Sequence, residues 1–204
     1  VIIAFSFLLA IPYFPTTVKL PVQQLSSEQL TKSSVTEMLI LDVSYSMNIS
    51  DLSPSRLEVA KRAAMLLVND AGPGDQIGFI SFAGKIYDEE LPTANRTDII
   101  SLINNQTVHN STAIGTTLET ALGVLGQSQG GKAIVLFSDG KNNYGVMNLT
   151  EVDQAAATMK IPIFTVFVGT YGMGNSDPEV LQQMSNMTGG KFHEVKAEDI
   201  AALA

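Results

Sequence analysis

Beyond residue 34 the chain alternates between two kinds of apolar pattern. Val35–Leu41 (VTEMLIL), Gln76–Phe82 (QIGFISF), Lys132–Ser138 (KAIVLFS) and Pro162–Val168 (PIFTVFV) are short, nearly continuous apolar runs. Runs of that length bounded by turn residues predict buried strands. Between them the apolar positions recur at helical spacing. In Ser55–Asp70 the residues Leu57, Ala60, Ala64, Leu67 and Val68, with Ala71, share one face, and Arg56, Glu58, Lys61 and Arg62 lie off it. Thr97–Asn104, Gly115–Gly126, Leu149–Met159 and Asp177–Thr188 are predicted helices, with stops at Gly72-Pro73-Gly74 and Gly189-Gly190. Lys85–Tyr87 is a short strand, Lys191–Val195 an edge strand, and a last helix begins at Ala197. Strands apolar on both faces, alternating with helices, predict a doubly wound α/β fold: a mostly parallel, Rossmann-like sheet covered on both sides. Such sheets bind ligands outside the carboxyl ends of their strands, at the switch in strand order.

The amino-terminal stretch breaks this pattern. Val1–Phe14 carries no charged side chain, and the first charge is Lys19. A membrane span takes about 20 apolar residues, and neither a basic lead nor a small-residue cleavage site marks a secretory signal. Residues 1–18 are therefore expected to be the end of a transmembrane helix, with Tyr13 at the interface and Pro12 and Pro15 at the helix terminus. A hydrophobic segment packed on the domain or a partner is the alternative. Residues 19–34 are a polar tether and residues 35–204 the domain. This arrangement puts the domain at a cell membrane, on its extracytoplasmic side.

Composition narrows the chemistry. The formal charge is −8 and Lys and Arg are nowhere clustered, which excludes nucleic acid as a partner because counterion release needs clustered cations. Cysteine is absent and only His109 and His193 supply imidazole. Disulfides, thiol catalysis, iron–sulfur clusters and multi-histidine metal sites are thereby set aside. Oxygen donors remain, and they gather where the fold predicts a site. The first strand ends in Asp42-Val43-Ser44-Tyr45-Ser46, Thr112 precedes the Gly115 helix, and the Lys132 strand ends at Asp139-Gly140. Two carboxylates and three hydroxyls suit Mg²⁺ or Mn²⁺. Alternation along an extended loop places Asp42, Ser44 and Ser46 on the same side. Singly, the hydroxyls would pass for helix caps and the aspartates for turn residues; it is their joint placement that favours an ion.

These residues resemble the metal-ion-dependent adhesion site of von Willebrand factor type A domains. The resemblance extends through Arg56-Leu57-x-x-Ala60-Lys61, Gly74-Asp75-Gln76-Ile77-Gly78, Ser138-Asp139-Gly140 and Thr188-Gly189-Gly190. Its nearest form is that of prokaryotic membrane-anchored A-domain proteins. It implies that Ser44, Ser46 and Thr112 contact the ion, with Asp42 and Asp139 ligating directly or through water. A partner's Asp or Glu then completes the shell, in recognition rather than catalysis. Tyr45, where relatives often have Gly, Asn48, His109 and Lys141 would form the partner-binding rim. A second reading is a scaffolding subunit of a membrane complex with a vestigial or purely structural site.

Asn-x-Ser/Thr occurs at Asn48, Asn95, Asn105, Asn110, Asn148 and Asn186, against about two matches expected by chance. The excess favours an exported, glycosylated domain, with Asn95, Asn105, Asn148 and Asn186 as candidates, since glycans on Asn48 or Asn110 would crowd the binding face. A Ser–His–Asp hydrolase built on His109 lacks a Gly-x-Ser-x-Gly elbow. An aspartyl phosphatase using Asp42 would want a second Asp where Ser44 stands. His193 is assigned to surface structure, and Met38, Met65 and Met184 to the core.

Overall fold

A computed structural model describes residues 34–143, 148–173 and 176–195. The hydrophobic segment, nearly all of the tether and the helix expected from Ala197 lie outside the described residues. The strands are β1 (Val35–Asp42), β2 (Gln76–Phe82), β3 (Ile86–Thr93), β4 (Gly131–Ser138), β5 (Ile163–Phe167) and β6 (Phe192–Glu194). The helices are α1 (Arg56–Asp70), α2 (Arg96–Asn105), α3 (Ile114–Gly126), α4 (Leu149–Thr158) and α5 (Pro178–Thr188), with a 3₁₀ turn at Tyr45–Asn48.

Among the described residues the sheet runs β3-β2-β1-β4-β5-β6. All neighbours pair in parallel except β2 and β3. β1 lies between β2 and β4, so the order reverses there, and the crevice at the carboxyl ends of β1 and β4 is where a doubly wound sheet takes its ligand. Alternate residues of β1 serve opposite layers. Leu39 and Leu41 pack with Leu57, Ala60, Ala64 and Val68 of α1 and Ile99 and Ile103 of α2. Met38 and Ile40 pack with Leu118 and Leu125 of α3, Val152 of α4 and Leu181 and Met184 of α5. Each such fully buried aliphatic side chain contributes about 1.5–3 kcal/mol. The expected face of α1 is thus the buried one, and Met38 and Met184 are core residues.

Local chemistry sets the helix ends. Ser55 caps α1 by accepting from the Glu58 amide, Asn148 caps α4 through Thr150 N, and Gly189, at φ 78°, closes α5 in the left-handed conformation.

Two expectations need correction. The short strand expected at Lys85–Tyr87 is the eight-residue β3. Its Asp88, Glu89, Glu90 and Pro92 are poor strand formers, and pairing with β2 overrides them. They suit an edge strand, where charge and proline discourage further pairing. Arg56 and Lys61, placed off the apolar face of α1, are buried. Lys61 Nζ donates to Glu58 Oε1 and the Gln106 carbonyl; Arg56 reaches the loops above the sheet.

Candidate metal centre

Three segments meet at the carboxyl ends of β1 and β4. In the first, Val43 N donates to Phe82 O and His109 N to Val43 O, which carries β1 past Asp42. Ser44 N then donates to Asp42 Oδ1 at 2.8 Å. The chain does not continue extended, as expected, but coils into the 3₁₀ turn at Tyr45–Asn48, anchored by the buried Met47. Ser46 is brought back by that turn, not by strand alternation, and its Oγ lies 3.1 Å from Ser44 Oγ. Neither Ser44 in front of the turn nor Ala113 in front of α3 makes a side-chain cap.

The second segment presents Thr112. Ser111 takes the left-handed conformation, φ 67°, a strained choice for a residue with a side chain. Gly84 N to Asn110 O and Ala113 N to Ala83 O fix the segment on the β2–β3 connection. Asn143 accepts from Thr112 N and returns its own amide to Thr112 O, and Asn142 accepts from Ile114 N. Sequence reasoning missed both asparagines. Thr112 itself is buried, and its hydroxyl carries no hydrogen bond among the described residues.

The third segment follows β4. Ser138 Oγ donates to Asp42 Oδ2 at 2.6 Å and accepts from Gly140 N. Asp139 Oδ1 accepts from Lys141 N, and Oδ2 accepts from Arg56 Nη1 at 2.9 Å. Gly140 has φ 80°, and a Cβ there would lie 2.0 Å from the Asp177 carbonyl oxygen; the turn after Asp139 admits only glycine.

Asp42 and Asp139 are both fully buried. Burial, reinforced by the charge of Asp139 and partly offset by hydrogen bonds from Ser138 and Ser44, pushes the Asp42 carboxyl up to about 7. Arg56 meets Asp51 in a bidentate pair and Asp139 in a single contact. Burial works against its charge, but Asp51 and Asp139 outweigh it and hold the guanidinium above its ordinary value. Arg56 was legible only as part of the Arg56-Leu57-x-x-Ala60-Lys61 pattern.

The donor set fits a hard divalent ion. Among the described residues no three of His, Cys, Asp and Glu are grouped so as to hold an ion by themselves, so hydroxyls would have to complete any shell around the two aspartates. An ion here would also offset the burial and the Asp139 charge that raise Asp42, and would give the Thr112 hydroxyl a partner. A surface depression of about 400 Å³ opens over Ser46 and Thr112, lined by Tyr45, Ile49, Lys141 and Asn143 among others. Of the expected rim, Tyr45 is 66% exposed, Lys141 is half-buried and Asn48 is exposed. His109 was expected to be an open rim residue. It is half-buried, its ring stacked 3.7 Å from that of Tyr87, with Lys85 Nζ over the Tyr87 ring. His193 lies on β6, half-buried; burial, with Lys191 adding to it, lowers its pKa.

All six sequon asparagines are exposed. Several sequons also have structural work: Asn148 caps α4, Asn95 bonds Asp98, and Thr188 links α5 to Ile163 N.

The sequence profile of the von Willebrand factor type A domain matches residues 38–141. The chain belongs to that family. A UPF0353 protein of Nocardia farcinica is 31% identical over 212 residues, covering 87% of this chain and 63% of the relative. A UPF0353 protein of Mycobacterium tuberculosis is 31% identical over 189 residues, covering 81% and 56%. The chain therefore spans only part of these curated relatives. Among solved structures, an aerotolerance-related membrane protein of Bacteroides fragilis superposes with a TM-score of 0.70 at 24% identity, covering 82% of this chain and 94% of that one. BatB of Bacteroides thetaiotaomicron gives 0.69 at 22%, covering 83% and 98%. At these identities the likeness speaks for the fold. Type A domains are in general protein-interaction modules.

Proposed function

We propose that this A domain captures a protein partner through a divalent ion, Mg²⁺ or Mn²⁺, held by Ser44, Ser46 and Thr112 with Asp42 and Asp139 directly or through water. The partner supplies an Asp or Glu carboxylate. The observation that carries this reading is the convergence of two buried aspartates and three hydroxyls at the β1–β4 switch, under an open depression. The bound ion supplies a Lewis-acidic position. The chain's own residues orient it: Ser138 and Ser44 N fix Asp42, and Asn143 fixes the Thr112 backbone. The scaffolding reading, with a vestigial or purely structural site, gains no observation of its own.

We place the domain at a membrane, extracytoplasmic, tethered by the apolar Val1–Phe14 segment. The Bacteroides fragilis protein of the same fold is a membrane protein. Among the described residues no helix is long and apolar enough to cross a membrane, so any anchor belongs to the part outside them. Intact mass of the protein from its source would report whether the sequons carry glycans.

Isothermal titration of the purified chain with MnCl₂ or MgCl₂ tests the metal site. Saturable binding to the wild type is expected, with none to Asp42→Ala at unchanged circular dichroism. Equal binding by the two proteins would overturn the assignment.

A further inference from the structure

Arg56 is an unusual residue to find at 0% exposure in the first turn of a helix. Its guanidinium makes four hydrogen bonds to three loops. Nε and Nη2 grip the two oxygens of Asp51 at 2.8 and 2.7 Å. Nη2 also donates to the Met173 carbonyl at 3.0 Å, and Nη1 donates to Asp139 Oδ2 at 2.9 Å. Behind it is the Gly169 backbone, where a Cβ would come 3.1 Å from the guanidinium carbon. Asp51 is fixed in turn by Thr170 N and by its own turn at Leu52 N. A planar fork held this way has almost no freedom to turn.

The charges do not balance one to one. One guanidinium serves two carboxylates, and the bidentate pair with Asp51 already matches its charge. The contact with Asp139 therefore does something other than neutralise Arg56. It occupies the oxygen of Asp139 that the Lys141 amide leaves free, so both oxygens are engaged. Asp42, its counterpart, meets only neutral donors.

We propose that Arg56 is a positioning residue that holds Asp139 back from direct ligation, so that an ion on Ser44, Ser46 and Thr112 keeps a position open for an outside carboxylate. The inference rests on the proposed metal site. Its physical content is a trade. Drawing charge from Asp139 weakens the domain's own hold on the ion and leaves the ion more electrophilic toward a partner. Releasing Asp139 would reverse both effects: the ion binds more tightly and loses an exchangeable position.

Mn²⁺ is the probe, with Arg56→Gln as the main variant. Electron paramagnetic resonance gives the dissociation constant, and water-proton relaxation counts the exchangeable waters on bound Mn²⁺. Loss of a unit charge in hydrogen-bond contact with Asp139 is expected to tighten Mn²⁺ binding roughly tenfold, with one fewer exchangeable water. In EDTA the variant is expected to melt below the wild type, and Mn²⁺ to raise its midpoint by more than it raises that of the wild type. A merely structural role would weaken Mn²⁺ binding or leave it unchanged, and either result in folded Arg56→Gln overturns the proposal. Arg56→Lys keeps the charge but not the fork, and should shift the affinity in the same direction by less. If both variants fail to fold, Asp51→Asn decides. It gives Asp139 the whole of the Arg56 charge, and Mn²⁺ must then bind more weakly; unchanged or tighter binding overturns the proposal. Absence of Mn²⁺ binding to the wild type would instead overturn the metal site itself.

Discussion

The loop after β1 and the loop after β4 each bury an aspartate at the same switch in strand order, and the two are held differently. Asp42 accepts from a backbone amide and a serine hydroxyl, both neutral, and its carboxyl is pushed up to about 7. Asp139 accepts from an amide and from a guanidinium that is itself fully buried. Asp139 shares a guanidinium lent by α1, whereas Asp42 meets no cation at all among the described residues. In a low-dielectric crevice that imbalance is what attracts a cation. Asp153 of α4 is a third case. It is buried away from the strand ends, its Oδ1 meets no partner among the described residues, and burial alone raises it to about 6.

Substitutions that separate these settings should differ in sign as well as size. The largest expected effect is Gly140→Ala, which puts a methyl on the Asp177 carbonyl in a left-handed turn and should destabilise by at least about 3 kcal/mol in urea denaturation. Asp139→Asn breaks one arm of the Arg56 network while Asp51 remains, so about 2–3 kcal/mol of destabilisation is expected, near the low end for opening a buried pair. Asp42→Asn should go the other way. In EDTA at pH 8 it removes an ionised group that burial and Asp139 disfavour, and a gain of about 2 kcal/mol is expected. A loss of stability there would erase the contrast between the loops.

Asp153→Asn should give the smallest effect and a pH signature. Below the ordinary value of 3.8 both folded and unfolded chains keep the proton, and the charge costs nothing. Between there and about 6 the unfolded chain releases its proton first, so wild-type stability falls as pH rises. Above about 6 the cost is complete. Asp153→Asn should therefore match the wild type at pH 4 and exceed it by about 1 kcal/mol at pH 8, measured by urea midpoints.

How much of this was visible in the sequence depended on whether a residue's role was local. β1, β2, β4 and β5 could be read because strands buried on both faces are nearly uniform in hydrophobicity. β3 could not, because its acidic stretch is a strand only by virtue of its pairing with β2. The five oxygen donors stood out because two aspartates at strand ends and three nearby hydroxyls form a pattern along the chain. Their geometry did not: Ser46 reaches Ser44 through a 3₁₀ turn that no spacing rule foretold. Arg56 was misplaced because a charged residue off an apolar helix face is normally solvated. Here two carboxylates, 5 and 83 residues away in the chain, bury it. Asn142 and Asn143 carried no signal at all, being polar residues in a loop whose task is to hold another loop.

The hydrogen bond from Ser138 to Asp42 joins positions 96 residues apart, and β2, β3, α1, α2 and α3 all lie between them in the chain. Contacts of such separation carry a large loop-closure cost and slow folding. The crevice is thus absent from any folding intermediate in which β4 has not yet docked beside β1, and from any proteolytic fragment that stops short of β4. A spectroscopic probe placed at Tyr45 would follow that docking step directly, and its signal would be a measure of maturation as much as of binding.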